Sequence, residues 1–251
     1  MVLKSFLEYL KRILFFSALL FLIPGPLSGQ GQQKGAEDAK LKEDDSQVSP
    51  GSKCEKWSDA GGSGAVPYNF RSIDGRLFAG GSLFNPQSHA NPPEKVREFL
   101  KFLKEQRVTS VISLHIPGGG SNEVETEKLL CQEEGLKFLK RRMTSDLLPN
   151  SLETEELLGL IDGGAYVHCM WGADRTGAVI AKYLRVRKGF SGEQAWKAVI
   201  SGGSHSGQIG GLKQKPEYKK LILFFWPEVG QESREVCQTY DLPYSGPSGM
   251  R

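Results

Sequence analysis

From residue 67 onwards, segments with apolar residues at a helical period alternate with short apolar runs typical of strands. In NPPEKVREFLKFLKEQ (91–106), the apolar positions follow a helical period and a proline stands in the first turn. The next segment, VTSVISL (108–114), is a short β-branched run of the kind that forms strands buried on both faces. This order predicts a helix followed by an inner strand of a sheet. The apolar face of the helix would carry Val96, Phe99, Leu100 and Leu103.

The alternation of strands and helices continues to residue 227. Further strands are predicted at 76–84, 135–143 and 165–169, and further helices at 122–134, 151–162, 175–188, 191–202 and 216–226. Capping residues mark three helix starts: Asn122 with Glu125, Asn150 or Ser151, and Ser191 with Gln194. Strands separated by helices predict an α/β, three-layer domain with a central, mainly parallel sheet flanked by helices. Ligands bind such domains beyond the carboxyl ends of the strands.

The two ends of the chain depart from this pattern. Residues 1–29 combine a basic start with the uncharged run ILFFSALLFLI and a Pro/Gly-rich end, which predicts a signal peptide. That run is short for a bilayer span, which favours a cleaved signal peptide over an uncleaved membrane anchor. The anchor remains the first alternative, and a buried helix of the domain is the second. Residues 30–66 are polar and lack an apolar period, which predicts a flexible linker. Residues 67–230 are then the domain, and 231–251 a C-terminal tail.

Composition narrows the classes of function. The chain has 251 residues, 39% of them hydrophobic, which is enough for one core of ordinary size. Its net charge is +3 with basic and acidic residues interleaved, so nucleic acid is not an expected partner. In an exported protein, Cys54 and Cys237 could form a disulfide, because they lie on opposite flanks of the domain. Cys131 falls in a predicted helix, where we expect a buried apolar residue.

The most informative stretch is AYVHCMWGADRTG (165–177), in which a strand runs into a glycine-containing turn and then a helix. A connection as short as that from Cys169 to Arg175 must curl, so that its backbone N–H groups point inward as a nest for an anion. The same N–H groups and the positive helix end stabilise a thiolate. Arg175 can hold two phosphate oxygens with its guanidinium fork. A lone cysteine here would be a small buried hydrophobe, but the combination predicts a nucleophile.

The residues around the cysteine have expected roles in this loop. Gly172 permits the backbone twist. The Thr176 hydroxyl is placed to hydrogen-bond the sulfur when it leaves, and the His168 imidazole would orient loop carbonyls or tune the thiolate. We expect neither a metal ion nor a cofactor in this chemistry. The predicted phosphate-binding loop consists of Met170, Trp171, Gly172, Ala173, Asp174 and Arg175.

HCMWGADRTG (168–177) resembles the H-C-x5-R-[ST]-G signature of the cysteine-dependent protein tyrosine and dual-specificity phosphatases, especially small bacterial members. NFRSIDGRLFAGGSLF (69–84) is similar to the opening segment of those members, and the order of elements resembles theirs over roughly residues 67–226. The resemblance implies a dual-specificity phosphatase-like fold and hydrolysis of phosphate monoesters through a cysteinyl-phosphate. Ala79 departs from it, because relatives often carry an arginine there. We expect this departure to remove only a surface contact.

Hydrolysis of this kind needs an acid that protonates the leaving group and then activates water. In the resembled family the acid is an aspartate on a mobile loop before the helix that leads to the cysteine strand, which implies Asp146 in TSDLLPN (144–150). Asp174 is the alternative, since it lies beside Arg175 as in the similar DRT loops of myotubularin-like lipid phosphatases. A salt bridge or a cap at the helix start is its competing role.

The predicted substrate follows from the charge of the loop. Met170 and Trp171 leave it without a lysine, which favours phosphotyrosine or another monophosphoester over a phosphoinositide. The basic run 140–142 could attract a polyanion, or it is a solvated strand end. The glycine-rich segment 201–211 either flanks the site as a flexible loop or only connects two helices.

The resulting prediction is an exported phosphatase, periplasmic or secreted, that acts as a monomer on a phosphorylated protein or another phosphomonoester. No membrane contact is expected beyond an N-terminal anchor. A phosphoprotein-binding pseudophosphatase and a phosphoinositide phosphatase are alternatives. A rhodanese-like sulfurtransferase is a third, but it needs neither the Arg-Thr-Gly ending nor an acid loop.

Overall fold

The fold is an α/β domain built on a five-stranded sheet, seen here in a computed structural model that describes residues 66–85, 91–115 and 122–247. The strands follow the order β1-β2-β5-β3-β4. β1 and β2 are antiparallel, and the other neighbouring pairs are parallel. The bounds are β1 Arg71–Asp74, β2 Leu77–Gly80, β3 Ser110–Ser113, β4 Lys137–Lys140 and β5 Ala165–His168.

Helices follow most of the strands along the chain. A 3₁₀ turn, Pro216–Tyr218, directly precedes the helix that begins at Lys219. The helices described are α1 Pro93–Glu105, α2 Glu123–Glu133, α3 Ser151–Asp162, α4 Asp174–Lys188, α5 Gly192–Val199, α6 Lys219–Phe225, α7 Val229–Glu232 and α8 Arg234–Thr239.

Two apolar clusters lie against the two faces of the sheet. Alternation along β5 divides its residues, because successive side chains of a strand point to opposite faces. Tyr166 packs in one cluster with residues of α1 and α2, such as Phe99 and Leu130. Val167 packs in the other with α3 and α4, through residues such as Leu158. The predicted three-layer α/β architecture with a mainly parallel sheet is therefore confirmed.

Most helix starts match their capping signals, with one exception. Asn150 and Ser191 each accept a hydrogen bond from the backbone three residues on and form complete capping boxes. The box predicted at Asn122 is wrong, since its side chain makes no capping bond. Its backbone, at φ −81° and ψ 12°, lies close to the helical region, whereas a capping residue adopts an extended conformation.

The predicted C-terminal tail (231–251) contains an ordered part that packs on the domain. Cys237 and Tyr240 are buried, and the Trp196 indole N–H donates to the Tyr240 hydroxyl at 3.1 Å. Cys237 is a free thiol that contacts the Val229 carbonyl. Its predicted partner Cys54 lies outside the described residues, as do the predicted signal peptide and all but the last residue of the predicted linker. Cys131 is buried in α2, as predicted.

None of the helices described is long and apolar enough to cross a membrane.

Candidate active site

The predicted phosphate-binding loop follows the carboxyl end of β5, the central strand of the sheet. β5 lies between β2 and β3 and is buried along its whole length. Cys169 follows directly at the carboxyl end of this strand and is 3% exposed, and α4 begins at Asp174. The loop therefore occupies the sheet edge at which α/β domains bind their ligands.

Carbonyl groups of this loop are held from outside by the segments around β1 and β2. The backbone N–H of Ser82 donates to the Met170 carbonyl at 3.0 Å. The Gly172 carbonyl accepts from the Asn69 amide at 3.2 Å and from the Arg71 guanidinium at 3.0 Å. These contacts fix the direction of two peptide groups in the loop.

The backbone N–H groups of the loop differ from its carbonyls in their hydrogen bonding. Within the described part of the chain, no carbonyl or side chain accepts a hydrogen bond from the backbone N–H groups of residues 170–175. Ala173, the N-cap of α4, has no polar side chain that could accept one of these N–H groups. Free N–H groups at the start of a 15-residue helix create positive potential that suits a bound anion.

Gly172 makes the tight turn of the loop. Its φ is +71°, a conformation that side chains other than glycine rarely adopt. A Cβ atom added there would lie 2.3 Å from the Gly80 carbonyl carbon and 2.7 Å from the Gly81 nitrogen. The loop can therefore approach β2 this closely only with glycine at position 172.

Arg175 reaches from the first turn of α4 towards the neighbouring strand ends. Its Nη1 lies 3.4 Å from the Leu114 carbonyl, just after β3, and 3.4 Å from the Met143 carbonyl, just after β4. Both contacts are long for hydrogen bonds, so they orient the guanidinium without holding it firmly. A phosphate in the loop would offer this group shorter, charge-assisted bonds.

The structure brings His168 together with Glu127, which the sequence analysis did not identify. His168 is fully buried, with Nε2 2.6 Å from the Glu127 carboxylate on α2 and Nδ1 3.3 Å from the Cys169 carbonyl. The Tyr166 ring stacks on the imidazole at a centroid distance of 5.5 Å. The imidazole thus contacts the carbonyl of the cysteine itself, and its expected role in orienting loop carbonyls or tuning the thiolate stays a prediction.

Thr176 follows Arg175 in the first turn of α4, and its expected bond to the leaving sulfur stays a prediction. Its side chain is fully buried, and its hydroxyl has no hydrogen-bond partner within the described residues. A buried hydroxyl without a partner costs free energy, and a bond to a nearby sulfur or phosphate oxygen would remove that cost. The Thr176 hydroxyl is therefore available for such a bond during a reaction.

Asp146 lies on the surface of the loop that follows β4. Its side chain is 76% exposed and pairs with Lys220 of α6 at 3.0 Å. The hydrogen bond and positive charge of Lys220 lower the pKa of the Asp146 carboxyl below its ordinary value. The Thr144 hydroxyl accepts the backbone N–H groups of Asp146 and Leu147 and shapes this loop.

Asp174, the alternative acid, is occupied by a structural contact. Its Oδ1 accepts the backbone N–H of Lys213 at 2.9 Å. This bond ties the start of α4 to the segment that follows the glycine-rich stretch 201–211. This contact is neither the salt bridge nor the helix cap that was the competing expectation for Asp174, because the donor is a backbone N–H outside the helix.

The glycine-rich segment 201–211 does flank the loop, and Asn69 joins the two. Besides the Gly172 carbonyl, the Asn69 amide donates to the carbonyls of Ser206 and Gly210 at 3.1 and 3.0 Å. Asn69 itself has a φ of +54°, which asparagine tolerates better than most residues. Sequence reasoning did not identify Asn69, although an asparagine before a strand is a common turn signal.

The rim of the site carries one exposed aromatic residue. Trp171 is 38% exposed and packs edge-on against the Tyr68 ring at 5.2 Å.

Ala79, where the resembled phosphatases often carry an arginine, is completely buried in β2. The expectation that its substitution removes only a surface contact is therefore wrong. Its register partner in β1 is Arg71.

The basic run 140–142 contributes less positive charge to the surroundings of the site than its three residues indicate, because Arg141 pairs with Glu153 and Glu156. In the described ranges, no group of three or more metal-binding side chains could hold a metal ion.

Comparison with known proteins gives structural similarity only. No protein-family model matches the chain, and no curated protein matches its sequence. TpbA of P. aeruginosa, solved in complex with pTyr, is 16% identical with a TM-score of 0.42 over 68% of this chain and 88% of that one. PTPMT1, solved in complex with PI(5)P, is 15% identical with a TM-score of 0.43 over 62% of this chain and 94% of that one. The core catalytic domain of the PP-IP phosphatase SIW14 of S. cerevisiae is 18% identical with a TM-score of 0.38 over 70% of this chain and 85% of that one. Identities this low establish no shared activity.

Proposed function

We propose that this protein is a phosphatase that hydrolyses phosphate monoesters through a cysteinyl-phosphate intermediate. One observation carries the proposal: Cys169 stands at a strand end against a loop whose N–H groups, from residue 170 to 175, have no other partner in the described chain. Arg175 lies in the first turn of the helix beyond that loop. Together these groups can bind three phosphate oxygens while the sulfur faces the phosphorus.

The reaction would proceed in two displacements. The Cys169 thiolate forms the S–P bond as the P–O bond to the leaving group breaks, and Asp146 gives its proton to the departing oxygen. Water then attacks phosphorus, the S–P bond breaks, and Asp146 takes the proton of that water. Asp146 is the position that the resemblance implies, and its exposed carboxylate is held only by the Lys220 side chain, whereas the Asp174 carboxylate is bonded to the Lys213 backbone N–H.

Hydrolysis of p-nitrophenyl phosphate by the full chain tests this function. Cys169→Ser should lower kcat by at least about 10³-fold, because the hydroxyl is a far weaker nucleophile at neutral pH. Arg175→Lys keeps the charge but loses the fork, and should lower kcat/KM by about 100-fold. Activity that survives in Cys169→Ser would exclude the cysteinyl-phosphate route.

A polyanionic substrate such as a phosphoinositide is a second candidate, favoured by two lysines beside the site. The Lys213 backbone is bonded to Asp174, and the Lys220 side chain is bonded to Asp146. Both lysines are therefore neighbours of the two candidate acids, and the loop itself has no lysine. A panel of phosphotyrosine peptides, phosphoserine peptides and phosphoinositide vesicles, run with Lys213→Met, separates the candidates. Only hydrolysis of the polyanion should fall in that variant.

The same panel addresses two further parts of the proposal. Binding of phosphopeptides without cysteine-dependent hydrolysis would assign a pseudophosphatase, an alternative supported by the exposed, ion-paired state of Asp146. We also propose export, on the pattern of residues 1–29. Fractionation of cells that express the full chain tests it, and recovery only in the cytosol would reject it.

A further inference from the structure

Residues 213–220, KQKPEYKK, form a basic segment that leads into α6. The segment contains four lysines and one glutamate, and all of these charged residues are exposed. A surface with such an excess of positive charge suits a partner that carries negative charge. The position of the segment relative to the candidate active site decides which partner it can meet.

The beginning of the basic segment is held against the first turn of α4, beside the phosphate-binding loop. Leu212, just before the segment, is completely buried. A Cβ atom added to Gly177 of α4 would lie 3.7 Å from the Leu212 Cβ. The Lys213 backbone N–H donates to Asp174, the first residue of α4, at 2.9 Å. Both contacts place this end of the segment at the helix start that follows the loop.

The other end of the basic segment lies beside the loop that carries Asp146. The Lys220 Nζ is 3.0 Å from the Asp146 carboxylate. Helix α6, which continues the segment, is attached to α4 because the Arg185 guanidinium donates to the Phe225 carbonyl at 2.6 Å. The basic segment thus passes from the start of α4 to the loop of the candidate acid, along two parts of the proposed active site.

Between these two anchored ends, Lys215 and Lys219 have no counter-charge. Within the described part of the chain, none of the ion pairs includes either lysine, whereas Lys188 and Lys197, elsewhere on the surface, each pair with a carboxylate. Their ammonium groups are therefore available to carboxylates of another molecule. Because both residues are exposed, a partner reaches them without any change in the fold.

We propose that the basic segment docks acidic residues that flank the phosphorylated residue of a protein substrate, through Lys215 and Lys219. A lysine ammonium is a point charge on a flexible stem, so it accepts carboxylates in many positions, whereas a second phosphate group in one fixed geometry suits the arginine fork better. Surfaces that bind membranes add exposed aromatic or leucine side chains to their basic residues. The only aromatic residue of this segment, Tyr218, is partly buried against the core. These features favour an acidic peptide over a lipid surface.

The docking concerns binding and does not depend on hydrolysis, whereas its effect on the choice of substrate rests on the proposed phosphatase function. Two fluorescein-labelled peptides test the binding to the full chain. Both carry the same hydrolysis-resistant phosphonate analogue of phosphotyrosine, flanked by Asp and Glu in one peptide and by Asn and Gln in the other. Fluorescence anisotropy gives the Kd of each.

The wild-type protein should bind the acidic peptide at least about tenfold more tightly than the neutral one at low salt. Each exposed ion pair contributes a factor of about 1.5 to 5, so two or three pairs account for this preference. At 0.5 M NaCl the preference should fall below about threefold, because salt screens exposed charges.

Substitutions in the basic segment should change the preference in both directions. The double variant Lys215→Met and Lys219→Met should reduce it to about threefold or less. Glu217→Gln removes the one acidic residue of the segment and should increase the preference by about 1.5-fold or more. Lys213 and Lys220 stay unchanged, because they contact the two candidate acids.

The matched control is the double variant Lys101→Met and Lys104→Met on α1. These lysines are also exposed and take part in no ion pair among the described residues. Helix α1 packs on the face of the sheet opposite α4, so the control removes the same net charge away from the basic segment. Its preference for the acidic peptide should equal that of the wild type.

Equal affinity of the wild type for the two peptides, or no measurable binding of either, would overturn the proposal. A preference that survives in the Lys215 and Lys219 variant, or falls equally in the α1 control, would overturn it as well. Binding to phosphatidylserine vesicles that needs Lys215 and Lys219, without a preference between the peptides, would assign a lipid surface instead. A clear preference in a protein that hydrolyses no phosphate ester refutes the phosphatase function alone and leaves the docking intact.

Discussion

Replacement of Gly172 by alanine tests whether the loop geometry governs catalysis. The φ of +71° costs an alanine about 1–2 kcal/mol. Its Cβ would lie 2.3 Å from the Gly80 carbonyl carbon, so the loop must move by about 1 Å to restore ordinary contact. A displacement of that size at reacting groups lowers rates by about 100-fold. We expect kcat/KM for p-nitrophenyl phosphate to fall by at least that factor.

Gly189 provides a matched control on the same helix. It ends α4 with a φ of +70°, almost the same conformation, but an added Cβ would meet nothing within 4 Å. Gly189→Ala should therefore cost about the same 1–2 kcal/mol of stability, a fall in Tm of about 3–6 °C, and leave kcat/KM unchanged. Calorimetry and steady-state kinetics on both variants separate two effects of the alanine: the free energy lost to its positive φ, and the loss of activity caused by steric overlap of its Cβ with β2.

The outcome that would refute this reasoning is a Gly172→Ala protein with wild-type kcat/KM. It would mean that the loop accepts a side chain against β2 without losing its function. An equal loss of activity in Gly189→Ala would show that general destabilisation lowers the rate.

Two further predictions concern groups that the structure adds to the site. Lys220→Met should raise the pKa of Asp146, which Lys220 now lowers, so the acid stays protonated to higher pH and the basic limb of the kcat profile moves upward. The same limb in Lys219→Met should not move, and an unmoved limb in Lys220→Met would remove Asp146 from the acid's role. Glu127→Leu leaves buried His168 without its partner, and should lower the free energy of unfolding in urea by about 3 kcal/mol. Exposed Glu125→Leu on the same helix should change it by about 0.5 kcal/mol or less, and equal losses would contradict a special role for the buried pair.

The elements of the fold were predictable where the local pattern is strong. The helix at Ser151–Asp162 and the end of α4 at Gly189 follow from a capping box and a left-handed glycine, which are signals within a few residues. Strand β1 was missed because its four residues alternate between partly buried and exposed, and its pairing with β2 decides its structure. The C-terminal helices α7 and α8 are too short to show a helical period, so their burial depends on the core they dock against.

The candidate site divides in the same way. Cys169, Gly172 and Arg175 are predictable as neighbours because they lie in one short connection between a strand and a helix. Glu127 comes from a helix distant in the chain, and no local pattern distinguishes it from a solvated glutamate. The basic run 140–142 shows the opposite case, since Arg141 is paired with two carboxylates of α3 that only folding brings close.

The alternating order of elements follows from the residues alone, as does the stretch in which a cysteine, a glycine and an arginine surround a helix start. These features depend on spacing along the chain, which local sterics and hydrogen bonding control. The surroundings of that stretch come from folding: Arg71 lies opposite Ala79, Asn69 between two loops, and Glu127 behind His168. Such contacts join residues far apart in the chain, and the packing of strands and helices against one core brings them together.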